Sequence, residues 1–166
     1  MVITGPTIVT AEEVTAEDLK PAETVTTPVV PDVKNSIQNK SIRLFSTESS
    51  FSDAKEDLLA AIEERGLVIS YTAHAKAMFE RTKAVTGEKT PVYDDAEIIL
   101  FCKADLSYNL VAQNPHNLIF CPYAISIYVL HKEPTMVYLS YKEQDNSQAV
   151  TKPINDLLKN IIMDVL

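Results

Sequence analysis

The sequence predicts an α/β fold: a compact mixed-sheet sandwich in the order β-α-β-α-β-α-β-β-α, with a disordered N-terminal tail. Three observations predict it. Beyond Lys40, short strand-like apolar runs alternate with segments whose apolar residues recur at helical spacing. Two runs near the C-terminus, "AISIYVLHK" and "TMVYLSYK", are separated only by Glu133 and Pro134, which implies an antiparallel hairpin. The first forty residues hold four of the nine prolines and no aromatic residue.

Residues 1–40 therefore read as a flexible, acidic, Thr/Pro/Glu-rich tail, and residues 41–166 as a single α/β domain. In the tail six acids stand against three lysines, and its composition buries too little apolar surface to offset chain entropy. The alternative for its Val/Thr-rich pieces is pairing as an edge strand.

Each element has its own signal. In "SIRLFSTES", Ile42, Leu44 and Ser46 share one face of a strand. "SDAKEDLLAAIEERG" reads as a helix in which Ala54, Leu58, Ala61 and Ile62 form one stripe; Asp53 and Glu56 resemble a capping box, and Gly66 suits the left-handed stop. "LVISYTA" follows as a strand and "HAKAMFERTKAVTG" as a helix ended by Gly87. "AEIILFCKA" runs without alternation, as expected of a central strand covered on both faces. Asp105 caps a short helix, "LSYNLVAQ", closed by Asn114-Pro115. After the hairpin, "KPINDLLKNIIMDVL" is a helix with Pro153 near its start. Its stripe of Ile154, Leu157, Leu158, Ile161, Ile162 and Val165 must dock on the sheet or on a partner chain.

Composition narrows the function. The chain has 166 residues and a net charge of −8, with no cluster of Lys and Arg, which argues against nucleic-acid binding. Its apolar runs are too short for a transmembrane segment. The N-terminus shows no signal peptide, so the chain is expected to be cytoplasmic, or periplasmic if a leader has been removed. Three glycines cannot build a phosphate-cradling loop, and G-x-S-x-G, H-E-x-x-H and C-x-x-C are absent. An enzyme is therefore less expected than a binding protein.

The remaining chemistry sits on few side chains. Cys102 ends the apolar strand and Cys121 precedes the next, one short helix later. Three readings are open for them: buried thiols acting as small hydrophobes, a redox or structural pair, or a ligand site. A bridge would close a loop of about 20 residues and contribute about 3 kcal/mol. Pro122 belongs at the strand's entrance and biases Cys121 toward an extended backbone, which fixes the direction of its side chain. His74 and Met78, four apart, share a helix face and suit copper or haem iron. His116 reads as a loop residue and His131 as an exposed one, while Tyr123, Tyr128, Tyr138 and Tyr141 read as sheet packing.

The ordered set "SFSDAKEDLLAAIEERGLVI", "HAKAMFERT", "AEIILFCKADLS", "NPHNLIFCPYAISIYVL" and "TMVYLSYK" resembles a bacterial family, domain of unknown function 302, over about residues 45–142. The likeness is to a branch with "FC…S" and "CPY" elements, matched by Phe101, Cys102, Ser107, Cys121, Pro122 and Tyr123. An "H…M…RT" element is matched by His74, Met78, Arg81 and Thr82. The resemblance implies a compact α/β unit, often a homodimer, and no settled activity.

Three functions follow as expectations. The first is a small binding or accessory protein holding a soft metal, haem or a sulfur-containing ligand among Cys102, Cys121, His74 and Met78, with Arg81 and Tyr123 alongside. The second is a thiol-redox protein using Cys102 and Cys121, with Arg81, His74 or the helix entered at Asp105 as activators. The third is a structural homodimer made by the C-terminal helix.

Overall fold

In the computed structural model the described residues are 41–87, 90–145 and 149–166, and the expected tail lies outside them. Five strands and four helices follow the predicted order: β1 (Ile42–Glu48), α1 (Phe51–Glu63), β2 (Val68–Ala73), α2 (Ala75–Thr86), β3 (Tyr93–Cys102), α3 (Ala104–Gln113), β4 (Tyr123–Leu130), β5 (Glu133–Lys142) and α4 (Lys152–Met163). A 3-10 helix over Pro115–Phe120, not expected from sequence, precedes β4.

The strands form one sheet in the order β1-β5-β4-β3-β2, and every neighbouring pair is antiparallel. This corrects the expected mixed sheet. Parallel pairs arise when a helical crossover joins adjacent strands. Here α1 carries the chain from one edge of the sheet to the other, while α2 and α3 each lead back to an antiparallel neighbour. The β4–β5 turn is also shifted: Glu133 and Pro134 already belong to β5, and His131-Lys132 make the turn.

Alternation along the strands builds the core on one face. Ile99, Phe101, Ile125, Ile127, Val137 and Leu139 are fully buried there, and the helices cover them. From α1 come Ala54, Leu58, Ala61 and Ile62, the stripe expected from sequence. Its cap differs: Ser50, not Asp53, is the N-cap, and its hydroxyl accepts the Asp53 N–H at 3.1 Å. From α4 come Ile154, Leu158, Ile161 and Ile162. Burying each such side chain contributes about 1.5–3 kcal/mol. The α4 stripe is therefore consumed in this chain's own core. The polar residue Asn155 is buried with it, its amide bonded to both the N–H and the C=O of Gln144 at 2.9 Å.

The opposite sheet face is less covered. The β1 face read as Ile42, Leu44 and Ser46 lies there, with Ile42 and Leu44 exposed, while Phe45 on the other side packs against the core. β3 is likewise buried on one face and half-buried on the other, so it is not the doubly covered central strand expected. Four rings run across this side: Phe79 of α2 stacks on Tyr93, Tyr93 meets Tyr128 edge-on, and Tyr128 stacks on Tyr138. No helix of the described residues is long and apolar enough to cross a membrane.

Candidate functional site

Cys102 and Cys121 both lie at one end of the β3–β4 ladder. Its last rung pairs Phe101 with Tyr123, whose rings meet edge-on with centroids 6.4 Å apart. Cys102 is the next residue on β3, opposite Val68 of β2. Cys121 approaches from the 3-10 helix, with its N–H on the Leu118 carbonyl at 3.0 Å and an extended backbone at φ −114° and ψ 136°. The Cys121–Pro122 peptide is cis. Local bonds hold this return path: the Asn114 side chain accepts the His116 N–H at 3.0 Å, and the Asn117 amide donates to the Leu110 carbonyl at 3.0 Å. His116 thus sits in a short 3-10 turn, not an open loop.

Both thiols are free and half-buried. Burial pushes the Cys102 thiol above its ordinary range, and the neighbouring charge of Cys121 pushes it further the same way; the Tyr123 N–H and the Ser107 hydroxyl oppose this by donating to the sulfur. The Ser107 hydroxyl of α3 also lies 3.2 Å from the buried Tyr123 hydroxyl, and its single proton serves either that oxygen or the Cys102 sulfur. Tyr123 is itself raised, mainly by burial. Cys102, Cys121, Ser107 and Tyr123 therefore share one electrostatic neighbourhood, with the Tyr123 ring against Phe101.

His74 and Met78 are not part of it. Ala73 pairs with Ile98, four residues along β3 from Cys102, so extended chain separates the two ends by about 13 Å. Soft-metal bonds are about 2.3 Å long, and one four-donor centre cannot span that gap. This removes the single Cys/His/Met pocket expected from sequence. Among the described residues no group of three or more His, Cys, Asp and Glu side chains is placed to hold a metal ion.

His74 has partners that sequence reading missed. Its Nδ1 lies 3.1 Å from Glu97 Oε1, and Glu97 Oε2, shielded from solvent, lies 2.7 Å from Lys55 Nζ of α1. Glu97 occupies the core face of β3, opposite Ile127. A lone carboxylate inside "AEIILF" was the available signal. Arg81 stands two turns along α2, and Thr82 turns its hydroxyl back onto the Phe79 carbonyl at 3.0 Å. Neither reaches the thiols, so Arg81 and His74 are not in place to activate them.

Comparison with known proteins agrees with this architecture. The family model "Domain of unknown function DUF302" matches residues 43–164. A solved structure, titled as the uncharacterized conserved protein DUF302 from Bacillus stearothermophilus, superposes with a TM-score of 0.63. It is 10% identical and the match covers 76% of this chain and 98% of that one, a likeness of fold alone. No curated protein matches.

Proposed function

This chain belongs to the DUF302 family, and we propose that it is a non-enzymatic binding or accessory module whose Cys102–Cys121 pair takes a soft metal ion. What supports it is the placement of two free, half-buried cysteines at one end of the β3–β4 ladder, where the Cys121 charge raises the Cys102 thiol and the Tyr123 N–H lowers it. Thiolates select soft ions such as Cu(I) over hard cations. Binding displaces the thiol protons, and the Tyr123 N–H offsets charge left on the Cys102 sulfur. With Arg81 and His74 distant, the raised Cys102 thiol favours this reading over a nucleophile at neutral pH.

The test is an anaerobic Cu(I) titration of the reduced protein against a chromogenic chelator. The expected result is one tightly held equivalent that both Cys102→Ser and Cys121→Ser abolish and that Met78→Leu leaves unchanged. Failure to compete with the chelator, or competition indifferent to both serine variants, overturns the reading. If a mild oxidant instead converts the protein to a species lacking two hydrogens while no metal is taken up, the thiol-redox function stands in its place.

A further inference from the structure

The other end of the β2–β3 pair carries a second, chemically different site. His74, Met78 and Arg81 recur at helical spacing along α2 and line a depression of about 720 Å³, whose remaining wall includes Tyr71, Ala73 and Ile98. That volume falls in the range of small-molecule sites. The lining is largely apolar, and its two polar ends are distinct.

At one end is Arg81, which makes no ion pair with a described residue. Glu80 also lines the depression, but adjacent helix residues point about 100° apart and do not face one another. The acid nearest the other end, Glu97, is committed to Lys55 and His74. At that end Glu97 engages His74 Nδ1, which orients the imidazole and leaves Nε2 for a ligand. Seven residues of helix separate Arg81 from His74, about 10 Å. Between them the surface is Met78 and Ile98, with Met78 substantially exposed.

A cation with no counter-ion among the described residues, an apolar strip and an oriented imidazole call for a ligand of matching polarity. We propose that this depression binds an amphipathic carboxylate, its anionic head on the Arg81 guanidinium and its apolar body across Met78 and Ile98 toward His74. Guanidinium and carboxylate match in charge and in bidentate geometry. The site is independent of the thiol pair and stands whether or not that pair takes a metal.

The experiment titrates octanoate into the isotope-labelled full chain, read by calorimetry and amide resonance shifts, with 1-octanol as the uncharged control. Octanoate is expected to bind and to move resonances of α2 and the adjoining ends of β2 and β3. Arg81→Gln is expected to weaken octanoate about tenfold, the size of a lost charge-assisted contact, and to leave octanol unchanged. Met78→Ser should weaken both, and the Cys102→Ser/Cys121→Ser double variant neither. Arg81 is exposed, so its replacement does not endanger the fold. The proposal is overturned if octanoate does not bind at millimolar concentration, if Arg81→Gln binds it as well as the parent, or if the shifted resonances lie elsewhere. Self-association that protects this face while octanoate fails to bind would place a second copy there and overturn it equally.

Discussion

Replacing Asn155 with alanine should cost the domain about 2 kcal/mol, although Asn155 stands in the middle of an apolar helix face. Its side chain is 5% exposed and clamps Gln144, beyond the end of β5, through two amide bonds of 2.9 Å. Each contributes about 1 kcal/mol net, and loss is dearer where the orphaned group stays out of water. Gln144 is half-buried, so its N–H and C=O would be only partly rehydrated. Against this, alanine favours helix over asparagine by about 0.5 kcal/mol. The net loss of about 2 kcal/mol corresponds to about 8 °C in Tm for a domain of this size. Urea and thermal unfolding measure it, with Asn160→Ala as the control. Asn160 is exposed on the same helix, and its side chain makes no hydrogen bond with a described residue, while its backbone carbonyl accepts from Arg65. That variant should gain a few tenths of a kcal/mol from propensity. If the two variants fall within about 0.5 kcal/mol of each other, the clamp contributes nothing beyond helix propensity and the reasoning fails.

Three further outcomes are expected. The pH midpoint of Cys102 alkylation, read by peptide mass, should fall in Cys121→Ser, which removes a repelling charge, and rise in Ser107→Ala, which removes a donor; the opposite order would contradict the cluster. Tyr138 donates to Glu133, which holds its phenol up at about 12 against 10.0 for a free tyrosine. Because the unfolded chain ionises first, this contribution to stability is intact below pH 10 and is lost as pH rises toward 12; an ultraviolet titration of Glu133→Gln should show the phenol titrating lower. Gly87 ends α2 at φ +69° with nothing within 4 Å of an added Cβ, so Gly87→Ala should cost about 1 kcal/mol through the backbone alone, measured by urea unfolding.

The element order was legible because local pattern reports on it. The α1 stripe of Ala54, Leu58, Ala61 and Ile62 buries as its spacing implies, and Gly66 and Gly87 both take positive φ. Strand direction was not legible. Whether β1 and β2 are neighbours or opposite edges depends on which strands pair at long range, and no residue of α1 encodes how far the helix travels. The sheet thus came out antiparallel where a mixed one was expected. The site divides in the same way. Cys102 and Cys121 are joined by one short helix and a turn, so their placement at the same end of the β3–β4 ladder follows from local structure. His74 follows β2 and Cys102 ends β3, strands whose register no local pattern fixes, and that register sends them to opposite ends of the β2–β3 pair.

That separation sharpens the chemistry. Joined in one pocket, two thiols, an imidazole and a thioether would have described a single metal centre, and Arg81 beside it would have opposed the ion. Held about 13 Å apart, each set has a consistent electrostatic logic. The thiol end offers sulfur with a backbone N–H and a hydroxyl, donors that suit a thiolate bound to a soft cation. The α2 end offers a guanidinium and a carboxylate-oriented imidazole over an apolar strip, which suits an anion. β3 links them, since Cys102 closes one end of the strand and Glu97, five residues earlier, anchors His74 from within it. A substitution at Glu97 should therefore disturb carboxylate binding at α2 while leaving Cu(I) uptake at the cysteines intact. A joint loss with the fold preserved would mean that β3 couples the two ends.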